Sequence, residues 1–108
     1  MKAYSITDIG KKRSMNQDYV YASDQPVGNL KNLLIVADGM GGHNAGDLAS
    51  RYTVQEMLAY IKESEEDRPV PLLSMAIHHA NEQVLEKAES EKELEGMGTT
   101  LVAATVQD

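Results

Sequence analysis

The chain has no cysteine, which excludes disulfides, thiolate metal sites and a cysteine nucleophile. Any metal must be held by oxygen or imidazole. Also missing are an apolar segment of signal-peptide length behind Met1 and any run long enough to span a membrane. Together these absences predict a cytoplasmic protein without redox chemistry. Positive charge is scarce: 10 Lys and Arg stand against 17 Asp and Glu, a formal net charge of −7. Extended phosphate backbones are gripped by clustered basic side chains, so neither nucleic acid nor membrane is an expected partner. With 108 residues and no internal repeat or low-complexity segment, there is room for one domain with a modest core.

Much of the acidity lies in Glu63, Glu65, Glu66 and Asp67 and in Glu86, Glu89, Glu91, Glu93 and Glu95. These read as solvated loop and helix faces, since their spacing aims no carboxylate pair at a shared site. Elsewhere the pattern alternates between two periods. Strands are expected at 3–8, around Tyr19-Val20-Tyr21, over the apolar run 33–37 and over 99–106. The run 33–37, apolar throughout, predicts a strand buried on both faces or central in its sheet. Turn residues at 24–29 should end the second strand.

A period near 3.6 follows, first through Ala45, Leu48, Ala49 and Tyr52, then through Val54, Met57, Leu58 and Ile61. His43 or Asn44 is placed to cap this helix. A break at 63–71, with two prolines, separates it from a second helix with apolar positions Leu73, Ala76, Ile77, Ala80, Val84 and Ala88. So short a connection predicts two antiparallel helices side by side. The order strand, strand, strand, helix, helix, strand is an α+β arrangement. Its last strand runs to within two residues of Asp108, which predicts open sheet edges.

The chemistry concentrates where the strand 33–37 meets Asp38-Gly39-Met40-Gly41-Gly42-His43. An acid followed by glycines presents a carboxylate and bare backbone carbonyls at a sheet's rim, the donor set that Mg²⁺ and Mn²⁺ prefer. Asp-Gly is equally a hairpin-turn signal. A phosphate-binding loop fits less well. Gly41 and Gly46 have the spacing of a nucleotide-binding loop, but Asp47-Leu48 follow where Lys and Ser or Thr are required, and Asn44 replaces a glycine of the dinucleotide fingerprint. Asp38 would also repel a phosphate unless a cation lay between them. Asp18 is the best second carboxylate, able to reach the same rim if its strand pairs with 33–37. Arg13, in the same polar loop, offers a planar fork for two phosphate oxygens. His43, beside the glycines, could orient a water or donate a proton, whereas His78 and His79, mid-helix, read as structural or exposed.

Three segments together resemble the protein phosphatase 2C (PPM) family of metal-dependent Ser/Thr phosphatases, in its bacterial form. They are Thr7-Asp8-x-Gly10-x-x-Arg13-x-x-Asn16-Gln17-Asp18, then Ala37 to His43 with Gly46, Ala49 and Ser50, and Met97-Gly98-Thr99-Thr100. The resemblance implies an α-β-β-α sandwich with a binuclear Mn²⁺ or Mg²⁺ centre. Within it Asp38 would bridge both ions, the Gly39 carbonyl and Asp18 would be ligands, and Arg13 would hold the substrate phosphate. It implies hydrolysis of phosphoserine and phosphothreonine in proteins, substrates of Ser/Thr kinases, by a metal-activated water. Two departures stand out: Met40 occupies the position of a histidine in eukaryotic members, and Gln17 that of a common glutamate. The family's other metal aspartates lie downstream of Asp108. Residues 1–108 are therefore expected to be the N-terminal portion of one catalytic domain, inactive alone. The competing expectation is a non-catalytic interaction module that binds a partner through an open sheet edge, with self-association of the chain as one outcome.

Overall fold

A computed structural model describes the backbone of residues 2–8, 17–40, 45–91 and 97–107, and side chains over 19–39, 45–91 and 97–106. Four strands, β1 (Lys2–Asp8), β2 (Gln17–Ser23), β3 (Leu33–Met40) and β4 (Gly98–Gln107), and two helices, α1 (Ala45–Glu63) and α2 (Pro69–Ser90), follow in the order β1-β2-β3-α1-α2-β4. The strands form one antiparallel sheet ordered β1-β4-β3-β2. The expected α+β order is present. The final strand, however, is interior, paired with β1 on one side and β3 on the other, so the sheet edges are β1 and β2.

β3 is central, as its composition predicts, but it is not buried on both faces. Leu33, Ile35 and Ala37 are buried, whereas Leu34 and Val36 are 43% and 37% exposed. Strand side chains alternate between faces, so only one face of this sheet is covered. The covered side meets α1 and α2 through Val54, Met57, Ile61, Leu72, Leu73, Ala76, Ile77 and Ala80. On the other side Val20 (58% exposed) and Val102 (41%) join Leu34 and Val36 in one row-crossing apolar face, since Val20, Val36 and Val102 are consecutive register partners.

α1 buries Gly46, Ser50 and Thr53 beside the expected apolar positions. Ser50 and Thr53 can be buried because each hydroxyl bonds within its own helix: Thr53 Oγ1 donates to the Ala49 carbonyl at 2.7 Å and Ser50 Oγ to the Asp47 carbonyl at 3.1 Å. The prolines expected to lie in a break instead open α2, with Pro69 at its first turn and the Leu72 amide bonded to the Arg68 carbonyl at 3.0 Å. The first amides of a helix have no intrahelical partner, so proline loses nothing there. Contacts between Tyr60 and His79 and between Tyr52 and Lys87 climb one helix while descending the other, which makes the pair antiparallel as expected.

Turn chemistry after β2 is also as expected. Val27 and Leu30 exchange backbone hydrogen bonds of 2.8 and 3.0 Å across Gly28-Asn29. Gly28 has φ +57°, and a Cβ there would lie 2.9 Å from the Ile61 carbonyl carbon, so only glycine suits the position. Asn29 Nδ2 then donates to the Ser64 and Glu66 carbonyls just past α1, tying this turn to the helix end.

Candidate metal centre

β3 continues through Met40, so Asp38 and Gly39 are strand residues and not a hairpin turn. Ladder pairing on both sides decides this: Asp38 faces position 18 on β2 and Thr100 on β4, and Gly39 faces Gln17 and Thr99. The expectation that Asp18 and Asp38 reach one rim is met at the level of register, since the two are direct cross-strand partners at the end of the sheet. Direct partners are the closest pairs a sheet provides, with Cβ atoms about 4.5–5.5 Å apart. By alternation Asp38 belongs with Leu34 and Val36, at the end of the uncovered face, and is half-buried.

Gly39 belongs to the opposite parity and is buried beneath the start of α1. A Cβ on Gly39 would lie 3.0 Å from the Gly46 Cα and nearer still to the Gly46 carbonyl. Glycine at 39 is thus required by close approach of two backbones. The contact fixes the beginning of α1 against the acidic end of β3. A small second core secures the same corner: Met97, just before β4, is buried with Ala45 and Ala49 of α1 and Val84 of α2. Thr99, also buried, places Oγ1 3.1 Å from the Asp38 carbonyl oxygen and 2.9 Å from that of Thr100, within donating distance of both. In the sequence Thr99 carries no signal beyond membership of the Met97-Gly98-Thr99-Thr100 segment.

Arg13 and His43 lie outside the described residues, as does the Asp18 side chain. Among the described residues no three acids or histidines converge as a metal-binding group. The acidic stretch 63–67 serves other ends: Arg68 forms a two-pronged pair with Glu66, at 2.9 and 3.1 Å. This side-chain hydrogen bonding, helped by the Arg68 amide, lowers the Glu66 carboxyl to about 2. His78 is exposed and pairs with Glu82 at 3.0 Å; half-buried His79 bridges to Glu56 of α1 at 3.1 Å. Both histidines therefore sit in structural or exposed settings, as expected. No helix among the described residues is long and apolar enough to cross a membrane.

The donor set at the strand end is wholly oxygen, which fits a hard divalent cation. Similar proteins bear on that fit. The Protein phosphatase 2C family profile matches residues 10–108. The serine/threonine phosphatase stp of Listeria welshimeri is 40% identical over 112 residues, which is 96% of this chain and 42% of the relative. The serine/threonine protein phosphatase PstP of Mycobacterium tuberculosis is 39% identical over 101 residues, 90% of this chain and 18% of the relative. Among solved structures, the PstP catalytic domain in complex with two manganese ions superposes with a TM-score of 0.70 at 33% identity, over 99% of this chain and 44% of that one. Phosphatase Stp1 of Staphylococcus aureus superposes equally well, with a TM-score of 0.70 at 32% identity and 42% of its length. This chain spans less than half the length of these relatives. On the profile match and the identity across nearly its full length, the chain belongs to the protein phosphatase 2C family.

Proposed function

We infer that residues 1–108 form the N-terminal portion of a catalytic domain that hydrolyses phosphoserine and phosphothreonine in proteins phosphorylated by Ser/Thr kinases. The observation that carries this is the direct register of Asp18 with Asp38 at the end of the sheet. Carboxylates carried on directly paired positions would repel one another, and a shared cation would relieve that repulsion. Asp38, Asp18 and the Gly39 carbonyl would hold Mn²⁺ or Mg²⁺, two ions in the complete domain. Bound ions would supply the positive charge that acidifies a water and neutralises phosphoryl oxygens. Arg13 would grip two phosphate oxygens as a bidentate donor, orienting phosphorus for in-line attack. His43, near the start of α1, is the candidate to give a proton to the departing Ser or Thr oxygen.

The uncovered face supports the sandwich part of the same proposal. Val20, Leu34, Val36 and Val102 form an apolar surface that a second antiparallel sheet would cover, face to face at about 10 Å. A hollow of about 630 Å³ beside Leu34, bounded by Ala22, Ala104 and Val106, leaves room for interdigitating side chains. Asp38 would then sit at the margin of the sandwich, half in water, where a phosphorylated loop can reach it.

The test is hydrolysis of a chromogenic phosphate ester with Mn²⁺, by this chain and by a version extended through the rest of the family domain. The extended protein is expected to turn over and the 108-residue chain to show little activity. An extended protein that binds Mn²⁺ and folds yet remains inactive would refute the phosphatase function. An interaction module using an open sheet edge could not use β4, which is flanked on both sides, and would use β1 or β2. Self-association would use the β1 or β2 edge or the apolar face, and sedimentation of the 108-residue chain with and without Val36→Lys distinguishes the face from the edges.

A further inference from the structure

We propose that Thr99 is a positioning residue for the metal-binding strand end, acting through the Asp38 carbonyl; this rests on the metal-binding role given above to Asp38 and Gly39. Thr99 is 6% exposed and stands opposite Gly39 in the β3–β4 ladder. Glycine places no side chain in that row, and of all residues it restrains its own backbone least. The peptide joining Asp38 to Gly39 therefore gains from a hold beyond its ladder pairing. On the α1 side Gly46 supplies steric closure. On the β4 side Thr99 Oγ1 lies 3.1 Å from the carbonyl oxygen of that same peptide.

A peptide unit is planar, so fixing its carbonyl fixes the whole plane. That plane bears on the direction from which Asp38 presents its side chain and fixes the amide from which the Gly39 carbonyl is reached through one residue's φ and ψ. Thr99 is suited to the task because a β-branched side chain has few χ1 choices, and because buried Met97 anchors the backbone two residues earlier. The hydroxyl proton is shared with the Thr100 carbonyl at 2.9 Å, which keeps Oγ1 in line with the ladder. Small hard cations demand well-directed ligands. Groups that orient ligands without touching the ion typically govern affinity by about 10–100-fold.

The test compares the wild-type 108-residue chain with Thr99→Val, Thr99→Ser and Asp38→Asn. Two quantities are read: Mn²⁺ affinity, from the electron paramagnetic resonance of free ion, and the metal-free Gly39 amide position in ¹H–¹⁵N spectra. Removal of the hydroxyl in Thr99→Val is expected to weaken Mn²⁺ binding by about tenfold and to shift the Gly39 amide. Thr99→Ser, which keeps the hydroxyl, should restore both; Thr99→Ala stands in should the valine variant not fold. Wild-type affinity in Thr99→Val or Thr99→Ala, or equal losses in Thr99→Ser, overturns the positioning role while leaving the metal site intact. Asp38→Asn separates the two ideas: unchanged Mn²⁺ binding there refutes the site itself, and with it any residue said to position it.

Discussion

Individual residues at the acidic end of the sheet are constrained by their neighbours' backbones more than by their own chemistry. Gly39→Ala would push a methyl group into Gly46, where neither backbone can yield cheaply. A loss of about 1–3 kcal/mol of stability is expected, readable as a lowered urea midpoint. An unchanged midpoint would show that α1 does not press on β3 as described. The ion pair Glu66–Arg68 makes a separate, pH-dependent contribution. Because the folded Glu66 carboxyl sits near 2, below the unfolded value of about 4.3, its contribution is fully present above the unfolded value. It is lost as pH falls from there through about 2. In Arg68→Ala, NMR titration should find the Glu66 midpoint raised toward the ordinary carboxylate range, the amide of residue 68 still holding it somewhat down; a midpoint still near 2 would assign the shift to something other than the guanidinium. From sequence, Asp38 and Asp18 could be nominated because acids at strand ends carry a recognisable donor chemistry. Thr99 could not, because a threonine in a strand reads as a strand former until its hydroxyl is seen against a carbonyl 61 positions away.

At the scale of elements, the helices were the most legible part of the chain, since a 3.6-residue period in apolar side chains has few other meanings. Its omissions were Gly46, Ser50 and Thr53, which are buried because backbone contact and hydroxyl-to-carbonyl bonds remove the need for water. The strands were harder, since an unbroken apolar run such as 33–37 cannot reveal that half of it faces outward. The interior place of β4 was not legible either, because strand order depends on pairings far apart in the chain. One side chain extends those pairings: Asn32, before β3, accepts from the Val106 amide at 2.7 Å and donates to the Val106 carbonyl at 2.8 Å, acting as one more ladder peptide. Asn32→Ala should therefore cost about 1–3 kcal/mol, measured by chemical denaturation, since the Val106 groups lose their partner. A cost near zero would mean that water replaces the amide without penalty.

For the whole molecule, one sheet face is packed by helices and the other carries Val20, Leu34, Val36 and Val102 toward solvent, with Asp38 at its end. Val36→Lys should change the melting temperature of the 108-residue chain little, because exposed substitutions stay within about 0.5 kcal/mol. The same change should strongly destabilise a version extended through the family domain, because the lysine would then be buried between sheets. Equal, small effects in both would contradict a sandwich closed over this face. The central claim, that Asp18 and Asp38 hold a divalent cation, is tested most directly by paramagnetic broadening of backbone amides as Mn²⁺ is added. Broadening centred on Asp18, Asp38 and Gly39, and abolished by Asp38→Asn, is the predicted result. Broadening centred instead on the acidic stretch 63–67, or left unchanged by Asp38→Asn, would contradict it.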